Sequence, residues 1–200
     1  SYNTLEDPNH VIGHGRWLCR GGSLLITGQS GIGKSSFTMQ TACSWALGRE
    51  LFGIPVKKPL RVGVIQAECD VGDLAESYQG VTSSMSLSAA DKQVLKENLR
   101  FYTETTKTGK EFADLCRKIV VRQKLDVLFC DPLLSYVGGD LSKQEVASHF
   151  LRNCIQPILK DTGCIIVFTH HEGKPKPKEV TEGQTISDMA YSGLGSSELV

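Results

Sequence analysis

A short glycine-rich segment between an apolar run and a helix-like run constrains this chain more than any other feature. Residues 28–35 read Gly-Gln-Ser-Gly-Ile-Gly-Lys-Ser and follow the apolar residues 24–26. The spacing is G-x-x-x-x-G-K-[ST], the pattern of a phosphate-binding loop between a strand and a helix. Gly28, Gly31 and Gly33 allow backbone conformations that side chains disfavour, so that successive N–H groups turn inward around an anion. The segment therefore predicts a strand–loop–helix unit that binds a nucleoside triphosphate.

The two residues that end this pattern carry its chemistry. Lys34 is expected to reach the β- and γ-phosphates, and the hydroxyl of Ser35 is placed to bind Mg²⁺. The helix that follows directs the positive end of its dipole at the same point. We therefore expect ATP and Mg²⁺ as ligands. The residues expected to contact ATP are Gly28, Gln29, Ser30, Gly31, Ile32, Gly33, Lys34, Ser35 and Ser36.

The bulk composition excludes several other classes of protein. The chain has 200 residues, 40% of them hydrophobic, and its 22 basic and 22 acidic residues give no net charge. This composition is typical of one globular domain, without the overall charge that attracts nucleic acid or an acidic membrane. No apolar run reaches the roughly 18 residues of a membrane span. Seven cysteines without a C-x-x-C pair favour neither a zinc site nor disulfides. Together with the charge and the short apolar runs, they lead us to expect a cytoplasmic protein that does not bind membranes.

Strand-like and helix-like segments alternate along the chain, which is typical of an α/β fold with a parallel sheet. The strand-like segments are 23–27, 61–67, 99–102, 127–131 and 164–169, and the clearest helices are 34–47 and 110–124. Residues 72–97 give only weak helical signals, and a later helix is predicted to begin with a capping box between Ser142 and Glu145. The sequence thus predicts one domain over residues 1–200, with a mostly parallel, twisted sheet and helices on both faces.

Asp131 ends an apolar strand-like run, and ligands of open α/β sheets bind where the strands end. It has the position of a Walker B aspartate, which would hold Mg²⁺ together with Ser35. The alternative is a helix-initiating or turn aspartate that precedes Pro132. Because many P-loop ATPases carry a catalytic glutamate directly after this aspartate and proline stands here, the carboxylate that activates water must come from elsewhere.

Glu68 is the expected source of that carboxylate, since it follows the strand-like segment 61–67. Its predicted role is general base or water-positioning residue for attack on the γ-phosphate. Asp70 is a second candidate, and an ordinary solvated loop glutamate is the alternative. His170, at the end of the segment 164–169, is expected to sense the γ-phosphate, unless it is simply a partly buried, hydrogen-bonded histidine.

The chain resembles a RecA-type P-loop ATPase, most of all the RepA-like hexameric replicative helicase ATPases of plasmids, phages and mobile elements. The resemblance rests on the residues at 21–28, 66–68, 128–133, 167–174 and 195–197. It implies a three-layer fold of RecA type, a homo-oligomeric ring that usually has six subunits, and ATP at the subunit interfaces. Relatives continue with further strands and a neighbour-facing arginine, so we expect this domain to lack its C-terminal strands.

A long polar segment, 172–191, matches the position of a central DNA-contacting loop in that family and is expected to be mobile. Lys174, Lys176 and Lys178 alternate with prolines there and are expected to meet the phosphates of single-stranded DNA. The alternative is a solvated loop with incidental lysines, since glutamates are interspersed.

Three functions remain to be compared. The first is an ATP-hydrolysing, helicase-type motor on single-stranded DNA. The second is a nucleotide-switched recombination or regulatory scaffold with little turnover. The third is a small-molecule kinase, which needs a lid with substrate-facing arginines, and residues 172–191 contain none.

Overall fold

The computed structural model describes residues 8–172, which form a central sheet with helices on both sides and a small β-hairpin. The strands are β1 (His10–Ile12), β2 (Leu18–Cys19), β3 (Ser23–Gln29), β4 (Val62–Gln66), β5 (Leu99–Thr103), β6 (Val127–Asp131) and β7 (Ile165–Glu172). The helices are α1 (Lys34–Ala46), α2 (Val71–Ser83), α3 (Ala89–Asn98), α4 (Gly109–Gln123), α5 (Leu134–Val137), α6 (Gln144–Ser148) and α7 (Gln156–Thr162). A π-helical segment, His149–Ile155, joins α6 to α7.

The central sheet has five strands in the order β3-β7-β6-β4-β5, and every pair is parallel. Strands β4 and β6 are buried along their whole length, which explains why both read as continuous apolar runs rather than as alternating ones. The predicted α/β fold with a parallel sheet and helices on both faces is confirmed. It is the architecture of a P-loop NTPase.

Side chains of alternate residues divide the sheet into two faces, each with its own hydrophobic core. On one face Val64, Phe129 and Val167 pack with α1, and Leu74 of α2 and Leu95 of α3 join them. On the other face the intervening residues pack with α4 and the π–α7 segment. The same alternation decides on which face each polar side chain at a strand end lies, and therefore which of them can meet in one site.

Strand β3 pairs with β7 and, among the described residues, with no strand on its other side. Its apolar side chains are half-buried, in contrast to those of β4 and β6. Exposed aromatic side chains lie beside this edge, where Phe37 and Phe52 stack with ring centroids 5.6 Å apart. The strand that leads into the P-loop is thus the least covered strand of the sheet core.

Several details differ from the sequence predictions. The β1–β2 hairpin was not predicted, and residues 72–97 contain two helices, α2 and α3. The predicted capping box was wrong: α6 begins at Gln144 with Lys143 as N-cap, because the backbone N–H of Ser142 donates to the carboxylate of Asp140 instead. Strand β7 extends to Glu172, three residues beyond its predicted end, and the remainder of the predicted loop, 173–191, lies outside the described residues. Within residues 8–172, no helix has the length and apolar character needed to cross a membrane.

Candidate functional site

The glycine-rich segment forms the predicted connection between β3 and α1. Gly31 and Gly33 have φ angles of +83° and +93°, in the left-handed region that residues with a side chain rarely adopt. A Cβ atom at Gly28 would meet the Cδ1 atom of Ile32, whose side chain would then have to turn away. The pattern of glycines in the sequence therefore reflects both backbone conformation and a close approach within the loop.

The N-terminus of α1 is free to receive an anion from the loop side. Its N-cap is Gly33, which offers no side-chain hydrogen bond, and no acidic residue occupies the first turn. The first N–H groups of a helix lack intrahelical partners and carry a partial positive charge. Ser35 and Ser36 lie exposed in this first turn. This donor set suits the phosphates of ATP.

Lys34 is buried inside the loop, although lysine is seldom buried. Its Nζ atom donates to the carbonyl oxygens of Gly28 at 2.6 Å and Gln29 at 2.7 Å. These contacts hold the ammonium group within the curve of the loop, where a bound phosphate would meet it. Lys34 thus lies inside the loop, and its contact with the phosphates of ATP stays a prediction.

Asp131 is buried at the end of β6, and its carboxylate is held from both neighbouring strands. Gln66 of β4 donates from Nε2 to Oδ2 at 3.0 Å, and Thr169 of β7 donates from its hydroxyl to Oδ1. Gln66 is in register with Asp131 across the β4–β6 pair. The three side chains form one polar row across the sheet, on the face that packs against α1. Sequence reasoning found Asp131 but missed both donors.

The backbone around Asp131 is braced as well. Its carbonyl oxygen accepts from the N–H of Ala67 at 3.1 Å, and the N–H of Leu133 donates to the carbonyl of Thr169 at 2.8 Å. These bonds fix the chain on both sides of the aspartate. Asp131 is therefore a buried strand residue in a hydrogen-bonded row, and it does not cap a helix, because α5 begins at Leu134 with Leu133 as N-cap.

The loop after β5 supports the other end of this row. The N–H of Glu104 donates to the carbonyl of Gln66 at 3.0 Å. The Glu104 carboxylate accepts from the backbone N–H of Thr106 at 2.8 Å and of Lys107 at 3.0 Å. The N–H of Thr106, followed by that of Lys107, lowers the pKa of Glu104 to about 2. Glu104 thus closes a tight turn directly beside the strand that carries Gln66.

Glu68 lies two residues beyond the end of β4, the strand that pairs with β6. Its side chain is 60% exposed, and its Oε2 atom lies 3.8 Å from Nε2 of His171. Asp70, the second candidate, is engaged in a capping box at the start of α2, where its Oδ1 accepts from the N–H of Asp73 at 2.8 Å. Of the two carboxylates, Glu68 is the one whose oxygens are not committed to a helix cap.

Cys69 reports the electrostatic character of this corner. Burial raises the pKa of its thiol, and the negative charges of Asp73, Asp131, Glu68 and Asp70 raise it further, in that order. Four carboxylates therefore act on one sulfur atom between them. The corner after β4 therefore carries a local excess of negative charge.

His170 and His171 lie on opposite faces of β7. His170 is buried on the face that carries Phe168, away from the polar row. His171 lies on the same face as Thr169 and pairs in register with Gly28, the first residue of the P-loop. The structure thus places His171 against Glu68, while the role of His170 as a sensor of the γ-phosphate stays a prediction. Lys174, Lys176 and Lys178 lie outside the described residues.

These residues fit ATP and one Mg²⁺ ion. The loop N–H groups, Lys34 and the helix N-terminus would hold the phosphates, while Ser35 and Asp131 supply oxygen ligands of the kind Mg²⁺ prefers. Among residues 8–172, no three His, Cys, Asp or Glu side chains form a metal cluster by themselves.

Comparison with known proteins gives the same class of protein. No curated protein matches the chain. A family described as AAA domain has a model that matches residues 2–177, which include the P-loop, Glu68, Asp131 and both histidines. The chain therefore belongs to this AAA domain family of P-loop ATPases.

Proposed function

We propose that the chain is the ATP-hydrolysing motor domain of a RecA-type, helicase-like ring that acts on single-stranded DNA. The observation that carries the proposal is the position of Glu68. It lies at the end of β4, next to the strand that ends in Asp131, while Pro132 occupies the place directly after that aspartate. A hydrolytic carboxylate on the neighbouring strand supports a RecA-type site rather than a kinase site.

In this mechanism Glu68 accepts a proton from water as the water oxygen attacks the γ-phosphorus in line. The bond between the γ-phosphorus and the bridging oxygen breaks, and ADP leaves. Lys34 and the N-terminus of α1 stabilise the negative charge that develops on the phosphate oxygens. Asp131, held by its two hydrogen-bond donors, and Ser35 would hold Mg²⁺, and the bound ion would supply positive charge beside the phosphates.

The DNA and the ring belong to the same proposal. The candidate lysines 174, 176 and 178 follow β7 directly, and β7 lies between the P-loop strand and the Asp131 strand. A movement of β7 that accompanies ATP hydrolysis would therefore be passed directly to the basic segment that follows it in the chain. The resemblance to RepA-like ATPases supports a ring of six subunits with ATP at the interfaces.

The test measures phosphate release from ATP by the purified chain, with and without single-stranded DNA. We expect turnover that single-stranded DNA increases, no turnover for Lys34→Ala, and bound but unhydrolysed ATP for Glu68→Gln. Glu76→Gln, which changes an exposed carboxylate on α2, is the matched control and keeps wild-type turnover. Native mass spectrometry with and without ATP and DNA measures the oligomeric mass.

The outcomes separate the candidate functions. Turnover that is indifferent to single-stranded DNA would contradict the motor. ATP-dependent assembly with negligible turnover would favour the nucleotide-switched scaffold. Normal turnover of Glu68→Gln would remove Glu68 from the role of base.

A further inference from the structure

His171 connects the P-loop strand to the proposed base. Through its backbone it pairs with Gly28 of β3, and through its side chain it reaches Glu68 beyond β4. These two strands are not neighbours, since β7 and β6 lie between them in the sheet order. The side chains of His171 and Glu68 therefore approach each other across the end of β6, on the α1 face.

The ring has a defined orientation. Its Nε2 atom lies 3.8 Å from Oε2 of Glu68, whereas Nδ1 is buried and makes no hydrogen bond within residues 8–172. Within the described residues, the polar group that lies near this ring is the carboxylate of Glu68. Glu68 is itself 60% exposed, and a long side chain in such a place has many rotamers.

We propose that His171 is a positioning residue for ATP hydrolysis, because its imidazole, with Nε2 3.8 Å from Oε2, limits the positions open to the Glu68 carboxylate on the face of the sheet where Lys34 and Asp131 lie. This role rests on the proposed function of Glu68 as base. A base held near its reactive position works faster than one that samples many rotamers, and small misplacements cost large factors in rate. The contact acts on catalysis and not on ATP binding, because His171 is not among the groups that cradle the phosphates.

The experiment compares two substitutions of His171 in the full chain. His171→Phe keeps a ring but removes both nitrogens, whereas His171→Gln keeps an N–H donor of similar reach. We expect kcat of His171→Phe to fall about tenfold with KM for ATP unchanged, and His171→Gln to recover most of the loss. His14→Phe, in the loop between β1 and β2, is the matched control and keeps wild-type kcat.

A second measurement does not depend on turnover. The imidazole ¹H–¹⁵N cross-peaks of His171, recorded by NMR, should shift in Glu68→Gln and stay unchanged in Glu76→Gln. This measurement decides whether the two side chains interact even if the wild-type chain hydrolyses no ATP, an outcome that would contradict the proposed function instead.

Several results would overturn this role of His171. One is wild-type kcat in His171→Phe, and another is an equal loss in His171→Gln and His171→Phe. An unchanged His171 spectrum in Glu68→Gln would show that the two side chains do not interact. A loss of ATP binding together with kcat in His171→Phe also contradicts the role, because that pattern indicates a general structural function.

Discussion

The hydrogen bond from Thr169 to Asp131 offers a direct test of the polar row. Thr169→Val replaces a hydroxyl by a methyl group of nearly the same volume, so the packing of the α1 face is preserved. The change leaves one oxygen of a buried carboxylate without its donor. Hydrogen bonds to charged groups contribute about 1.5–3 kcal/mol, and the unsatisfied oxygen keeps its desolvation cost. We therefore expect the free energy of unfolding to fall by about 2–3 kcal/mol.

Thr41→Val is the matched control for this substitution. Thr41 is also buried, but its hydroxyl donates to a neutral acceptor, the carbonyl oxygen of Phe37, at 2.7 Å. Loss of that bond should cost only about 1 kcal/mol. The two variants thus differ in the charge of the acceptor and not in the kind of side chain removed.

Urea unfolding followed by circular dichroism measures both variants. The midpoint should fall for each with the slope m unchanged, and Thr169→Val should fall further. In a thermal melt the same difference corresponds to roughly 2–4 °C for each kcal/mol in a domain of this size. If Thr169→Val loses no more stability than Thr41→Val, the hydroxyl does not hold the carboxylate, and Asp131 is not constrained by the row.

Three further predictions concern the loops around the site. Gly33→Ala should lose about 1–2 kcal/mol of stability, because its φ is +93°, and should also weaken binding of a fluorescent ATP analogue. Gly53→Ala, with a φ of +74° and equally open surroundings, should lose stability alone. Equal binding of the analogue by both variants would contradict this. The lowered pKa of Glu104 stabilises the fold above pH 4.5, so the free energy of unfolding should fall by up to about 3 kcal/mol as the pH falls from 4.5 to 2. The fall should be smaller in Glu104→Gln, and parallel pH profiles of unfolding for the two proteins would refute this. Burial and, after it, the charge of Asp73 raise the pKa of Cys69, so Asp73→Asn should speed its alkylation by iodoacetamide at about pH 8, measured by mass spectrometry. An unchanged rate would show that burial alone controls the thiol.

The P-loop and the strand before Asp131 were predictable from sequence because their signals are local. The spacing of glycines and Lys34 specifies one backbone conformation, and an apolar run that ends in a carboxylate specifies a buried strand. The same holds for α4, where Phe112, Cys116 and Ile119 recur at helical spacing and are buried in the structure. In each case neighbouring residues alone contain the information.

The remaining features depend on which segments meet in space. Gln66 and Thr169 become donors to Asp131 only when β4 and β7 flank β6, and the chain order does not give that arrangement. Helices α2 and α3 were indistinct in the sequence because each buries a single residue fully, Leu74 and Leu95 respectively. Tyr78 and Val81 of α2 continue the apolar face of Leu74 but are only partly buried. The choice between His170 and His171 likewise depends on which face of β7 each side chain takes.

The polar row has a consequence for how errors in folding affect activity. Gln66, Asp131 and Thr169 meet because three parallel strands share one register, and side chains alternate between faces at every residue. A shift of β6 by one residue would place Asp131 among the apolar side chains of the opposite face. Cys130 would then lie beside the two donors, Gln66 and Thr169. Such a shift would bury a carboxylate without partners, at a cost of several kcal/mol. The residues of the site therefore also favour the correct register of the strands, because a misaligned sheet would be both inactive and less stable.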